Sequence, residues 1–149
     1  MSLPFYLMVD FDGVLQDATS DPFIPMRYAK NLALITEVDR SIRIVVTSTH
    51  REGKSLDHLR SWFPAELRDL VVGMTTVLPE GRAGGGRQRE IEAWLVNRPH
   101  ASWLALDDEA YLYDKDCAQF VHVQSFRCLD VDLAQIIAEE VRATLRESV

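Results

Sequence analysis

Short apolar runs punctuate the chain at residues 5–9, 42–46, 103–106 and 120–123, with a weaker fifth at 70–75. Each is of strand length, and most are apolar at consecutive rather than alternate positions. Successive side chains of a strand point to opposite faces, so this pattern predicts strands covered on both sides, as in a parallel sheet between helices. Between the runs the period changes. Leu32, Ile35 and Val38 recur at three-residue spacing within 28–38, and Ser55 is placed to cap a helix through Leu59 and Trp62 that Pro64 stops. Ile91, Trp94 and Leu95 form one stripe within 87–96, closed by Pro99. Asp130 is a candidate N-cap for a last helix whose buried face carries Leu133, Ile136, Ile137, Val141 and Leu145. Alternation of strand and helix predicts an α/β domain, a Rossmann-like three-layer sandwich around a mostly parallel sheet. Sites in such folds lie beyond the C-terminal ends of the strands.

Composition narrows the function classes. A chain of 149 residues, 47% hydrophobic and 26% charged, is expected to form one globular domain over 1–149. Its formal charge of -7 argues against broad adhesion to nucleic acid, which needs many cations, while leaving room for a local basic pocket. Cys117 and Cys128 lack metal-ligand spacing and make no disulfide framework, so a reduced, cytoplasmic setting is expected. The apolar stretch 3–9 has no Lys or Arg before it and is cut short by Asp10, which reads as neither a signal peptide nor a membrane span.

The residues that follow the apolar runs carry the chemistry. Asp10 and Asp12 follow the first, Thr47, Ser48 and Thr49 the second, and Asp107 and Asp108 the third. Side-chain alternation lets Asp10 and Asp12 point to the same side, roughly 7 Å apart along the strand. A strand-end turn with Gly13 would explain that pair alone, but it leaves Asp107 and Asp108 unexplained. If the sheet brings both pairs together, the carboxylates repel one another unless a cation or a proton joins them. An all-oxygen set of this kind suits Mg²⁺ shared with a substrate phosphate.

On these residues the chain resembles the haloacid dehalogenase (HAD) superfamily of hydrolases. DFDGV resembles its first motif, IRIVVTS its second, GGGRQREIEAWL its third and WLALDDE its fourth, in the family's order. VVTSTHR, VVGMTT, REIEAWL and LALDDE together are similar to the small HAD domains of bacterial RNA-repair proteins. The resemblance implies that Asp10 attacks a phosphate and forms an aspartyl-phosphate, while Asp12 protonates the leaving alcohol and then activates water. It further implies Mg²⁺ held by Asp10, the backbone carbonyl of Asp12 and the Asp107/Asp108 pair. Thr47, Ser48 and Arg87 would hold phosphoryl oxygens. The chain departs from the family in two places. The third motif offers Arg82, Arg87 and Arg89 in place of the usual Lys, with Arg87 preferred, and Leu15 stands where a Thr is common.

The 28 residues between Gly13 and Ile42, like the stretch after Thr47, are too short for an inserted cap domain. A capless member of the family implies a large or exposed substrate, such as a phosphorylated nucleic-acid end or a nucleotide. Two rivals stand beside the hydrolase: a receiver-like phospho-acceptor module, in which the acceptor Asp follows a middle strand, and a degenerate domain that only binds. His50, His58, His100 and His122 show no metal-ligand spacing, and His50, at a strand exit, is the best catalytic exception. Trp62, Trp94 and Trp103 are expected to pack in or under the core.

Overall fold

The structure is a computed structural model that describes residues 3–147. Five strands, β1 (Phe5–Val9), β2 (Ile42–Val46), β3 (Val71–Met74), β4 (Ser102–Asp107) and β5 (Phe120–His122), form one sheet in the order β3-β2-β1-β4-β5. Every pairing is parallel. The weak candidate at 70–75 is thus the edge strand β3. Its register against β2 shifts between Ile44 and Val45, and a Cβ on Gly73 would lie 2.8 Å from the Trp94 ring. The missing side chain lets a tryptophan cover the sheet edge.

The helices α1 (Ala33–Thr36), α2 (Leu56–Ser61), α3 (Gly86–Leu95) and α4 (Val131–Glu147) cover the two faces. Phe5, Leu7 and Val9 of β1 join the larger core with Ile35, Leu59, Ile137 and Val141. Met8 faces the other way, into a smaller core with Val45, Ala105 and Ile91. This is the two-faced burial that the unbroken apolar runs require. Each such side chain contributes about 1.5–3 kcal/mol by leaving water.

Local signals act as the sequence suggests. Ser55 accepts the His58 N–H at 3.1 Å to start α2, and Asp130 accepts the Leu133 N–H at 2.8 Å to start α4. The helical stretch expected at 28–38 is shorter and begins as a 3-10 turn over Ala29–Leu32. Ile136, expected on the buried face of α4, is 56% exposed. Ala134, Ile137, Ala138 and Val141 build that face instead, with Ile136 turned outward beside it. Among the described residues no helix is long and apolar enough to cross a membrane.

The register of the three central strands positions the chemistry. Val9 pairs with Val46 on one side and with Leu106 on the other. The next residues, Asp10, Thr47 and Asp107, therefore leave the sheet side by side. Two further bonds extend the ladder past the strand ends: Thr47 N–H donates to the Val9 carbonyl at 2.9 Å, and Asp10 N–H to that of Leu106 at 3.2 Å.

Candidate active site

Asp10, Asp107 and Asp108 converge beyond the ends of β1 and β4, each offering an oxygen within 4.8 Å of the others. Asp10 is 5% exposed and Asp107 wholly buried. The single guanidinium among them is Arg87, in the first turn of α3, which donates to Asp107 Oδ2 at 2.7 Å and lies 3.3 Å from Asp10 Oδ2. Of the three arginines in the glycine-rich stretch and helix start, Arg87 alone reaches the cluster. Arg82 is exposed and pairs with Glu52, and Arg89 bonds the Gly84 carbonyl.

The two carboxylates of the second pair are not equivalent. Asp107 is saturated, accepting from Arg87, from the Tyr113 hydroxyl at 3.1 Å and from the Glu109 N–H at 3.0 Å. Asp108 Oδ1 is buried and has no hydrogen-bond partner among the described residues. Gly13 makes room for Asp108: its φ is +81°, and a Cβ there would lie 2.3 Å from Asp108 Oδ2. No L side chain fits at that position.

One cation does not balance three anions. Burial, and then the Asp107 charge, raise the Asp10 carboxyl well above its ordinary range, with Arg87 only partly offsetting them. Burial raises Asp108 too, against a hydrogen bond with Asp10 and with Asp107 adding to the rise. Burial pulls Arg87 down, but Asp107 and Asp10 outweigh it and hold the guanidinium above its usual value. Tyr113 is kept protonated by burial and by Asp107 beside it, so it remains a donor. An all-oxygen, anionic cluster with an unpartnered oxygen is a donor set that fits a hard divalent cation such as Mg²⁺.

Asp12 stands apart from this cluster. Its Oδ1 accepts from Gln16 Nε2 at 2.7 Å and its Oδ2 lies 2.9 Å from His50 Nε2. The remaining Gln16 oxygen accepts the Met26 N–H at 3.2 Å. The carboxylate is thus clamped from both sides and half open to solvent. His50 is the histidine that the strand-exit position singled out. Gln16 carried no sequence signal beyond its place after the first motif.

At the exit of β2, Thr47 is fully buried and its hydroxyl lacks a partner among the described residues. Ser48, expected at the phosphate, is buried, and its oxygen accepts the His50 N–H at 3.2 Å and caps the 3-10 turn Thr49–Arg51. Thr49 is the residue of this group that lines the cleft. That cleft, about 280 Å³, is bounded by Asp10, Asp12, Thr49, Arg82, Arg87 and Tyr111 among others.

Beside it lies a second buried pair that periodicity did not reveal. Arg51 Nη2 meets Glu90 Oε1 at 2.8 Å, and the same guanidinium donates to the carbonyls of Thr47, Ser48, Thr75 and Thr76. Glu90 also accepts the Leu78 N–H at 2.9 Å. Arg87 and Glu90, three apart on α3, share its inner face. That spacing, together with Arg51 four places after Thr47, was the available signal.

The family of HAD domains in Swiss Army Knife RNA repair proteins matches this sequence over residues 6–133. No curated protein and no solved structure matches the chain significantly. The matched span contains all four motifs, three at strand ends and one at the start of α3, and the parallel α/β sheet that aligns them agrees with that family. The chain therefore belongs to the HAD domains of Swiss Army Knife RNA repair proteins, within the HAD-like hydrolases.

Proposed function

We propose that the protein is a Mg²⁺-dependent phosphomonoesterase that works through an aspartyl-phosphate on Asp10. The observation that carries this reading is the buried, under-neutralised cluster of Asp10, Asp107 and Asp108, which faces a cleft shared with the clamped Asp12. Asp10, Asp108 and the backbone carbonyl of Asp12 would hold the cation, with Asp107 behind them fixing Arg87. When bound, the metal would neutralise phosphate charge and orient the phosphoryl group.

The chain's own residues account for the remaining chemistry. An Asp10 oxygen attacks phosphorus, the bond to the leaving oxygen breaks, and Asp12 delivers its proton to that oxygen. Asp12, now a carboxylate, takes a proton from the incoming water. Water oxygen bonds to phosphorus, the aspartyl–phosphorus bond breaks, and Asp10 is restored. Arg87, Arg82 and the free hydroxyl of Thr47 are the donors assigned to phosphoryl oxygens. The clamp of Gln16 and His50 holds Asp12 so that its proton transfers occur at one place.

The short connections after β1 and β2 leave the site without an inserted cap, which keeps it accessible to large substrates, with phosphorylated nucleic-acid ends and nucleotides among the classes to be tested. A cytoplasmic setting belongs to the same reading and agrees with the two free cysteines. A phosphate-release panel tests the proposal: nucleotides, 5′- and 3′-phosphorylated oligonucleotides, sugar phosphates and phosphopeptides, with Mg²⁺ or EDTA. Release that depends on Mg²⁺ and disappears in Asp10→Asn is expected. Silence across the panel would leave a domain that binds without turnover, and a stable phospho-aspartate would favour a receiver-like module.

A further inference from the structure

Next to the charged cleft lies a larger cavity of about 410 Å³, within the roughly 300–1,000 Å³ usual for small-molecule pockets. Phe23, Pro25, Met26, His50 and Trp62 form much of its wall, and Asp12 stands at its edge. Asp12 also borders the cleft that holds Asp10, Arg82 and Arg87, so its carboxylate separates two compartments of opposite character. One is lined by arginines and carboxylates. The other has no Arg or Lys in its lining.

The polar groups of the second compartment are already engaged. Gln16 is bound to Asp12 and to the Met26 N–H, and His50 to Asp12. Ring and methylene surface from Phe23, Pro25, Met26 and Trp62 makes up much of the remaining wall. One lining residue is held in an unusual state for a residue with a side chain. Met26 has φ +54°, in the left-handed region, while the residue is 9% exposed and its N–H is fixed by Gln16. Phe23, in the same wall, is 46% exposed. A large apolar side chain held at a cavity mouth is well placed to touch a ligand.

Resting on the phosphomonoesterase reading, we propose that this cavity is the leaving-group subsite and that it selects monoesters whose alcohol carries a flat aromatic ring close to the ester oxygen. The phosphoryl group lies on the arginine side, the ring lies against Trp62 and Phe23, and the ester oxygen falls at Asp12, which must protonate it. Aromatic stacking and apolar contact then add to substrate binding without any charge on the ring.

Two measurements test this. In the first, kcat/KM with Mg²⁺ is compared for 1-naphthyl phosphate and glycerol 3-phosphate. The wild-type protein is expected to favour the naphthyl ester by at least tenfold, and Phe23→Ser and Trp62→Ala each to cut that ratio severalfold or more. A ratio near one in the wild type, or one unmoved by both substitutions, overturns the subsite. In the second, the Trp62 indole N–H resonance, assigned with Trp62→Phe, is followed as 1-naphthol is added. A saturable shift that weakens in Phe23→Ser is expected. This second measurement needs no turnover: a shift in a protein that hydrolyses nothing keeps the subsite and removes the hydrolase reading, whereas no shift removes the subsite even if hydrolysis is fast. Phe23 is half exposed, so its substitution leaves the core intact, and a thermal melt of each variant verifies folding.

Discussion

Arg51 and Arg87 are buried guanidiniums beyond the C-terminal ends of the strands, and both meet carboxyl groups, yet they are compensated differently. Arg51 has one anion, Glu90, and four backbone carbonyls to receive its remaining donors. Glu90 in turn has Arg51 and the Leu78 amide. Arg87 has three carboxylates in its vicinity, its own Nε lacks a partner among the described residues, and so does Asp108 Oδ1. Folding can keep a buried charge at low cost only when it is paired and hydrogen-bonded. The first site meets that condition and ties the exits of β2 and β3 to α3. The second does not, and its excess negative charge is what a divalent cation would offset under the function proposed above.

The largest expected effect falls on the second site. Asp10→Asn should lower Mg²⁺-dependent phosphate release by roughly 10⁴-fold or more, the scale on which nucleophile losses fall. The same change should raise the melting temperature of the metal-free protein, because one of three crowded anions is gone. A drop of tenfold or less places the nucleophile elsewhere.

At the first site the expectation reverses. Glu90→Gln strands the Arg51 charge in the interior and should cost about 3–5 kcal/mol in urea unfolding. Turnover per folded molecule should change much less than stability. A cost under about 1 kcal/mol would show that the pair is not the anchor proposed here.

Proton linkage separates the two sites further. Asp10 and Asp108 have raised carboxyls in the folded state, so the stability they contribute is fully present below about pH 4, the unfolded carboxyl range, and is lost as pH climbs through their raised values. The metal-free protein should thus lose stability towards neutral pH. Mg²⁺ at a hundred times its Kd should restore about 2.7 kcal/mol, or about 5–11 °C in Tm, and at one fixed Mg²⁺ concentration the gain should be larger at pH 8 than at pH 5, because protons on these carboxylates compete with the metal. Melting curves with Mg²⁺ and with EDTA across that range check the sign. A gain independent of pH, or none, would detach the metal from these carboxylates.

Tyr113→Phe gives the smallest effect. It removes one of three donors to Asp107, leaving Arg87 and the Glu109 amide, and should cost about 1 kcal/mol. A cost several times larger, from the same urea titration, would mean that Asp107 is less well satisfied by Arg87 than the 2.7 Å contact indicates.

The strands β1 and β2 and the carboxylates at the strand ends were legible because each depends on neighbours in sequence: an unbroken apolar run, then a polar exit. The helix caps at Ser55 and Asp130 were legible for the same reason. Ile136 was misplaced because two adjacent isoleucines fit one apolar stripe equally well until packing chooses between them. Ser48 shows a similar ambiguity. A hydroxyl at a strand exit can bind a ligand or cap a turn, and its partner here is the backbone of His50.

By itself, the sequence determined the order of strands and helices, the two-faced burial of the sheet, and the aspartates and arginines available at its exits. Those follow from side-chain period and local backbone chemistry. Only the tertiary structure decided which charges meet. It set Arg87 against Asp10 and Asp107, gave Arg51 to Glu90, left Asp108 with a bare oxygen, and put the Gln16–His50 clamp and an apolar cavity beside Asp12. The physical reason is that hydrophobic burial depends on pattern and is largely indifferent to partner, whereas a buried charge is stable only against particular atoms at a particular distance. Strand register and helix packing fix those distances.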